Sequence, residues 1–423
     1  MLQAQPNQTV SNLQTSTQEK EYDYDLVIVG GGIVGLTLAA ALQDSGLSVL
    51  LIEAKAQSDS VMKGQAYAVH MLSALIFQGI GVWDKIRPQI ETYRHVCLSD
   101  ADHPCVVEFD NSDINQKDLG YVAEHKAILF PLQEFVKGCH NISYLCPAEV
   151  VNTQYQTNMA KVDVKVAGEV RTVRTKLLVG ADGARSRIRQ GAGIKTHGWK
   201  YWQSCIVAFV KPEKPHNNTA YEKFQSSGPF AILPLPGNRC RIVWTAPHAE
   251  AKALCELDDE QFLAELQKRF GNQMGKLELL GECFTFQVQL MQSTRYVLNR
   301  LALIGNAAHS CHPVGGQGLN LGIRDAAALA QTIQEAQARG QDIGDIKVLK
   351  SYERWRQREN LAILGMTDLL DRTFSNQFLP LVLGRRLVLW MMKRIRPIKI
   401  FNLKLMVGLT GKTPKLVQKV LEA

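Results

Sequence analysis

The sequence predicts an α/β fold. A Rossmann-like dinucleotide-binding domain is assembled from separated segments, with an inserted β-sheet domain and a C-terminal helical region. Three observations predict it. An apolar strand near the start runs into a glycine-rich turn, a helix and a second strand that ends in an acid. Two later apolar strands each end at a glycine-containing turn that leads into a helix start. The stretches between them are rich in β-branched and aromatic residues, the strand formers. A chain of 423 residues suits about two domains. Its 46% apolar content is ample for a core, which excludes a disordered chain.

The first unit begins at Asp25-Leu-Val-Ile-Val-Gly30, a continuously apolar run expected of a parallel strand buried on both faces. Gly30-Gly31-Gly32-Ile33-Val34-Gly35 follows and contains G-x-G-x-x-G. Leu36 to Leu42 reads as a helix, and Ser48-Val-Leu-Leu-Ile-Glu53 closes the unit just before Ala54. Each part has a physical task. Gly30 permits the tight turn, Gly32 lets backbone approach a pyrophosphate, and Gly35 lets the helix pack on the strand. The helix N-terminus meets the phosphates, and Glu53 accepts from a ribose hydroxyl. A carboxylate there disfavours a 2′-phosphate, but the unit alone does not separate NAD from FAD.

The second motif is Leu177-Leu-Val-Gly180-Ala-Asp182-Gly183-Ala-Arg-Ser-Arg187. The third is Leu301-Ala-Leu-Ile-Gly305-Asn306-Ala-Ala-His309, continuing through His312-Pro313-Val-Gly-Gly316-Gln317-Gly318-Leu319-Asn320-Leu-Gly-Ile-Arg-Asp325. With these residues, with Gly120-Tyr-Val and Glu124, and with Gly228-Pro-Phe-Ala-Ile-Leu-Pro-Leu235, the chain resembles the flavin hydroxylases of the para-hydroxybenzoate-hydroxylase superfamily. More narrowly, it resembles the hydroxylases of ubiquinone biosynthesis, over roughly residues 24 to 415.

The resemblance implies FAD, with its adenosine half on Gly30, Gly32, Ile33, Val34, Gly35, Glu53 and Ala54. It implies Gln65, Asp182, Gly183, Gly305 and Asn306 as further cofactor contacts. Pro313, Gly316, Gln317, Gly318, Leu319 and Asn320 would lie against the isoalloxazine, whose reduced form has an anionic edge suited to a helix start. In that family NADPH or NADH visits as a transient co-substrate, and this sequence has no second G-x-G-x-x-G unit for a nicotinamide domain of its own. The activity implied is an FAD-dependent aromatic monooxygenase acting with O2 on a prenylated phenol, in ubiquinone or plastoquinone biosynthesis. Flavin C4a carries that chemistry, so no catalytic base is assigned. His312 and Gln317, with His309 nearby, are candidates for a proton relay.

Two residues depart from the family pattern. Asn306 stands where the family has Asp, and Gln65 stands where it has Arg, with Lys63 close by. Each loses a charge-assisted hydrogen bond. These departures keep open a non-catalytic FAD-binding scaffold, and a flavin-dependent prenyl reductase shares the first unit.

The expected FAD domain is discontinuous, at 24–90, 120–190 and 290–345. The inserts at 91–119 and 191–289 form the substrate sheet, which roofs the flavin. Tyr221, Phe224, Phe230 and Leu233 are the candidate pocket residues. Residues 1–23 are polar and read as a disordered leader without a signal-peptide core. Residues 346–423 read as helices, with a long one over 346–373 and a second beginning near Pro380.

The formal net charge of +8 is uneven. From Arg385 onward ten basic residues face one acid, Glu422, a net +9 that leaves the rest at −1. That distribution excludes a nucleic-acid enzyme, whose basic surface spreads over its folded body. Over 381–396, Leu381, Leu387, Val388, Met391, Met392 and Ile395 share one helical side, opposite Arg385, Arg386, Lys393, Arg394 and Arg396. A cationic amphipathic segment of this kind, through 381–419, is expected to bind a membrane surface. The expected location is therefore cytoplasmic and peripherally membrane-associated, with a quinone-biosynthesis complex as a further candidate partner. Nine cysteines without Cys-x-x-Cys spacing fit a reducing compartment and predict no metal site.

Overall fold

The computed structural model describes residues 21–56, 65–100 and 106–422. Most of the expected leader, and Lys63, lie outside the described residues. The apolar runs form the centre of an eight-stranded sheet. Tyr24–Val29 is flanked in parallel by Val49–Ile52 and by the end of Glu169–Gly180, with Val27 opposite both Leu50 and Leu178. Leu301–Leu303 and Ile142–Leu145 extend the sheet on either side, also in parallel. Every residue of Val49–Ile52 is buried, which is why the run is continuously apolar rather than alternating. The helix Ile33–Ala41 packs against the helices His125–Lys137 and Gln317–Ala338. The first half of Glu169–Gly180 continues outward as an antiparallel ladder with Ala160–Val166, which pairs in turn with Glu149–Tyr155.

A nine-stranded sheet forms the roof. Its longest strand, Thr196–Pro212, pairs with Phe284–Ser293 on one side and Arg239–Pro247 on the other. Phe230–Leu235, Thr219–Phe224, His95–Asp100 and Val106–Asp110 follow in order. The roof also takes His309–Ser310 at its far edge. Glu91–Tyr93, which the sequence places with the insert, pairs instead with Gly120–Glu124 in a small sheet beside Ala66–His70. One face of the roof is packed by the helices His248–Glu256 and Asp259–Phe270, through Trp244, Phe262, Leu266 and Phe270. Asp258 caps the second of these by accepting from the Gln261 N–H.

The long helix runs over Ile346–Phe374, with Asp345 capping its start. Leu379–Arg394 carries Pro380 in its first turn, and Pro397 starts the next helix, Arg396–Met406. The predicted cationic side of Leu379–Arg394 is not what the structure shows. Its buried stripe is Arg385, Leu389 and Met392. Arg385 bonds Asp100 of the roof and donates to the carbonyls of Thr373, Phe374 and Asn376. Burial of that guanidinium turns the opposite, apolar side outward, so Leu383, Leu387, Val388 and Trp390 are exposed. Lys399 and Lys415 also pair with the body, at Asp113 and Glu335. The free positive charge of the tail is therefore smaller than the sequence implies. No helix among the described residues is long and apolar enough to cross a membrane.

Candidate active site

The turn after the first strand fits a phosphate group for reasons visible in its glycines. Gly30 has φ +113°, and a Cβ there would lie 2.4 Å from the Ala181 carbonyl oxygen. A Cβ on Gly35 would lie 2.0 Å from the Gly30 carbonyl oxygen, so helix and strand touch backbone to backbone. Gly32 differs, because nothing among the described residues lies within 4 Å of its would-be Cβ. Gly32 is also the N-cap of Ile33–Ala41, and no side chain caps that helix. Its first N–H groups are thus left to an anionic ligand, in front of open space. Glu53 accepts from the Gly31 N–H at 2.7 Å and the Lys55 N–H at 2.8 Å, which ties the second strand to the turn. Ala54 is exposed directly beyond it.

The other two motifs converge on the same space. Gly183, with φ +82°, lines the cavity. Asp182 accepts from the Ser186 hydroxyl and the Ile188 N–H, so it organises the turn into the helix Arg187–Gly191. Gly305 donates its N–H to Asp325 at 3.0 Å, and exposed Asn306 lines the cavity beside it. Gln65 also lines the cavity, its side-chain oxygen accepting from the Tyr67 hydroxyl at 2.5 Å.

In the third motif the helix Gln317–Ala338 starts at Gly316, again without a side-chain cap. A Cβ on Gly316 would sit 2.9 Å from that of Ala68. Pro313, Gly316, Gly318 and Leu319 line the cavity. Asn320 is buried instead, and its role is to lock the loop. It accepts from the His70 N–H and the Ser73 hydroxyl, and donates to the carbonyls of Ala68 and Gly316. Gln317 is buried as well, and its side-chain oxygen has no partner among the described residues.

The cavity these elements enclose is about 430 Å³ and lies between the nucleotide sheet and the roof. Tyr221, Phe230 and Leu233 border it, but the rings of Tyr221 and Phe230 pack against Phe270 on the helix-covered face of the roof. Phe224 does not border it. It is buried and stacks on Phe374 of the long helix, with ring centroids 4.0 Å apart. It shares a strand face with Glu222, but the long helix covers that end of the strand.

The histidines separate by environment. His309 is fully buried against Asp325 at 2.6 Å, which also accepts from Arg356 and Asn360. Burial pushes the Asp325 carboxyl up, but His309 and Arg356 outweigh this and hold it down to about 2. That cluster is structural and lies behind the Gly305 turn. His312 does line the cavity, and burial lowers it to about 3, so it is neutral. Its 3.5 Å approach to Asp371 is therefore not an ion pair.

Several cavity residues carry no sequence motif. Glu222, Arg241, Tyr67 and His70 line it, as do Leu403, Met406 and Val407 of the C-terminal region. Burial pushes the Glu222 carboxyl up to about 7, opposed by the Gly315 N–H it accepts at 3.3 Å. Its signal in sequence is a lone acid between Ala220 and Phe224 on a strand whose inner face is otherwise apolar.

A family model described as an FAD binding domain matches residues 23–364. The chain is 48% identical over 393 residues to an uncharacterized protein of Synechocystis, covering 93% of this chain and 95% of that one. It is 37% identical over 378 residues to the ubiquinone hydroxylase UbiL of Rhodospirillum rubrum, covering 89% of this chain and 87% of that one. The chain belongs to the FAD-dependent ubiquinone-biosynthesis hydroxylases. The fold agrees: p-nitrophenol 4-monooxygenase PnpA of Pseudomonas putida superposes with a TM-score of 0.76 at 18% identity, over 92% of this chain and 98% of that one.

A hydroxylase of this family is an aromatic monooxygenase whose cofactor is FAD, and the residues present fit that group. Two helices, at Gly32 and Gly316, direct uncapped N-termini toward one cavity. Such a pair suits a ligand with a pyrophosphate at one end and an electron-rich ring edge at the other.

Proposed function

We propose that the protein uses NAD(P)H and O2 to hydroxylate the aromatic ring of a prenylated phenol in quinone biosynthesis. The observation that carries this reading is the continuity of the cavity. One space touches the Gly32 turn, the Pro313–Leu319 loop and the apolar inner face of the roof. FAD supplies the redox chemistry when bound. The chain's own residues orient the ring between the loop and Ala231, Leu233 and Val243 of the roof, and their apolar surface excludes water.

The far wall supports a long apolar substituent. Leu403, Met406 and Val407 line the cavity from the helix Arg396–Met406 and its end. The outer surface of the same helical region exposes Leu387, Trp390 and Phe401. Lys393, Arg394, Arg396 and Lys404 are exposed around them. A bilayer with anionic lipid complements that surface, each cation near it contributing about 1 kcal/mol. The membrane surface is accordingly the proposed partner, and it is where a prenylated substrate resides.

The test is O2 uptake by the FAD-loaded protein with NADPH, with and without a prenylphenol. Uptake stimulated by the phenol, with one oxygen atom added to the product, is the expected result. NADPH oxidation that saturates a prenyl double bond without O2 uptake identifies a reductase. Retention of FAD with no NADPH oxidation, with or without the phenol, identifies a non-catalytic FAD-binding scaffold.

A further inference from the structure

The cavity contains a carboxylate that the fold does not explain. Glu222 sits on the strand Thr219–Phe224, with buried Ala220 and Phe224 on either side of it along the same face. It is enclosed within the protein, yet its side chain keeps accessible surface, and it lines the cavity. Among the described residues no Lys or Arg forms an ion pair with it; its only hydrogen bond is from the Gly315 N–H at 3.3 Å, to Oε1. A buried carboxylate without a cation is costly and is seldom kept for packing. The Gly315 carbonyl bonds His70 Nε2 at 3.0 Å, so the loop residue is clamped between the two titratable side chains. Glu222 therefore stands at the seam where roof and loop face each other across the cavity.

We propose that Glu222 is a catalytic residue that accepts the hydroxyl proton of a phenolic substrate; this rests on the hydroxylase reading above. The phenol donates a hydrogen bond to Oε2. As the ring carbon attacks the activated oxygen, the phenol O–H bond breaks and its electron pair moves into the ring. The proton forms a new O–H bond on the carboxylate, which releases it to solvent after the product departs.

The groups that share the cavity are consistent with this division of labour. They include Tyr67, His70, Tyr93, His125, Arg241 and His312, with Tyr221 and Cys311, both raised by burial. Burial holds the Tyr67 hydroxyl up to about 12, and holds His70 and His312 down to about 3. None of these three changes charge near neutrality, whereas Glu222 titrates at about 7, where a general base is most effective. Tyr93, on the neighbouring small sheet, is likewise held protonated by burial and by Glu222 itself.

The experiment pairs a prenylphenol with its methyl ether, which cannot donate, and titrates both into the FAD-loaded oxidised protein without NADPH, following the flavin absorbance. The wild-type protein is expected to prefer the phenol by about tenfold above neutral pH, as a hydrogen bond to a charged group provides. That preference shrinks as the pH falls through about 7. In Glu222→Gln, which preserves shape and the bond from Gly315, the preference is smaller and independent of pH. Hydroxylation by this variant falls by about 100-fold or more and loses its rise with pH. Its circular dichroism checks that it folds, and the wild-type pH profile tests the proposal without any variant. Equal, pH-independent discrimination by both proteins, with wild-type hydroxylation intact, would overturn the assignment of Glu222 alone. Failure of the wild-type protein to bind or oxygenate any phenol overturns the hydroxylase reading and this assignment with it.

Discussion

Arg385 and Asp100 meet inside the protein although 285 positions separate them, with Nε 3.0 Å from Oδ2 and Nη2 3.2 Å from Oδ1. Both side chains are almost wholly buried. The pair fastens the helix Leu379–Arg394 to the roof sheet. It thereby fixes which side of that helix faces solvent.

Removing Arg385 strips buried Asp100 of its hydrogen-bonded partner and leaves only the partly exposed Arg386, 3.7 Å away; breaking a buried pair typically costs 3–5 kcal/mol. Arg385→Leu is accordingly expected to lower stability by about that amount. Urea unfolding of the variant beside the wild type measures it. The double variant Arg385→Leu/Asp100→Leu recovers a large part of the loss, since the buried carboxylate goes with its partner and Arg386 is partly exposed.

Gly30→Ala and Gly32→Ala are expected to fail in different ways. At Gly30 the left-handed backbone and the Ala181 carbonyl oppose any Cβ, so stability itself falls. At Gly32, with φ −74° and open space ahead, the apoprotein tolerates alanine. The methyl then occupies room needed by the pyrophosphate. Melting temperature of the apoprotein and FAD affinity, measured on both variants, separate strand–turn packing from cofactor contact.

Asp325 gives a pH dependence of known sign. Its carboxyl is held down to about 2 in the folded protein, below the ordinary value of 3.8. The stability it contributes is therefore complete above about pH 4 and is lost as pH falls toward 2. Asp325→Asn should flatten the stability profile across that window in acid unfolding experiments. It should also loosen the Gly305 turn, whose N–H the carboxylate accepts.

The exposed apolar side of the C-terminal helices predicts membrane binding that point substitutions can remove. Truncating at Gly384 is too blunt a test, because it removes Leu389, Met392 and Leu403 from a buried cluster and Val407 from the cavity wall. Leu387→Gln with Trp390→Gln touches only residues more than half exposed. Co-sedimentation with anionic liposomes should fall for this pair while the melting temperature holds. Binding unchanged by the substitutions would count against a bilayer as the partner.

What was legible in the sequence follows from what is local. The strand–turn–helix units show in consecutive residues, because the turn needs glycine where backbone crowds backbone. Phe224 misleads because the helix that covers it, through Phe374, is 150 positions away. Arg385 misleads for the same reason, since helical periodicity reports amphipathicity but not the buried acid waiting on the roof. Asn320 sits in a motif whose sequence suggests cofactor contact, yet its four hydrogen bonds join the loop to Ala68, His70 and Ser73. Glu222 acquires its character only when the roof closes over the Gly315 loop.

Ring hydroxylation with O2 as the oxygen donor is tested most directly by turnover under isotopically heavy O2. The FAD-loaded protein, NADPH and a prenylphenol should yield a ring-hydroxylated product that carries one heavy oxygen atom, by mass spectrometry. A product whose new oxygen comes from water, or NADPH oxidation that yields only hydrogen peroxide across a panel of prenylphenols, would contradict it.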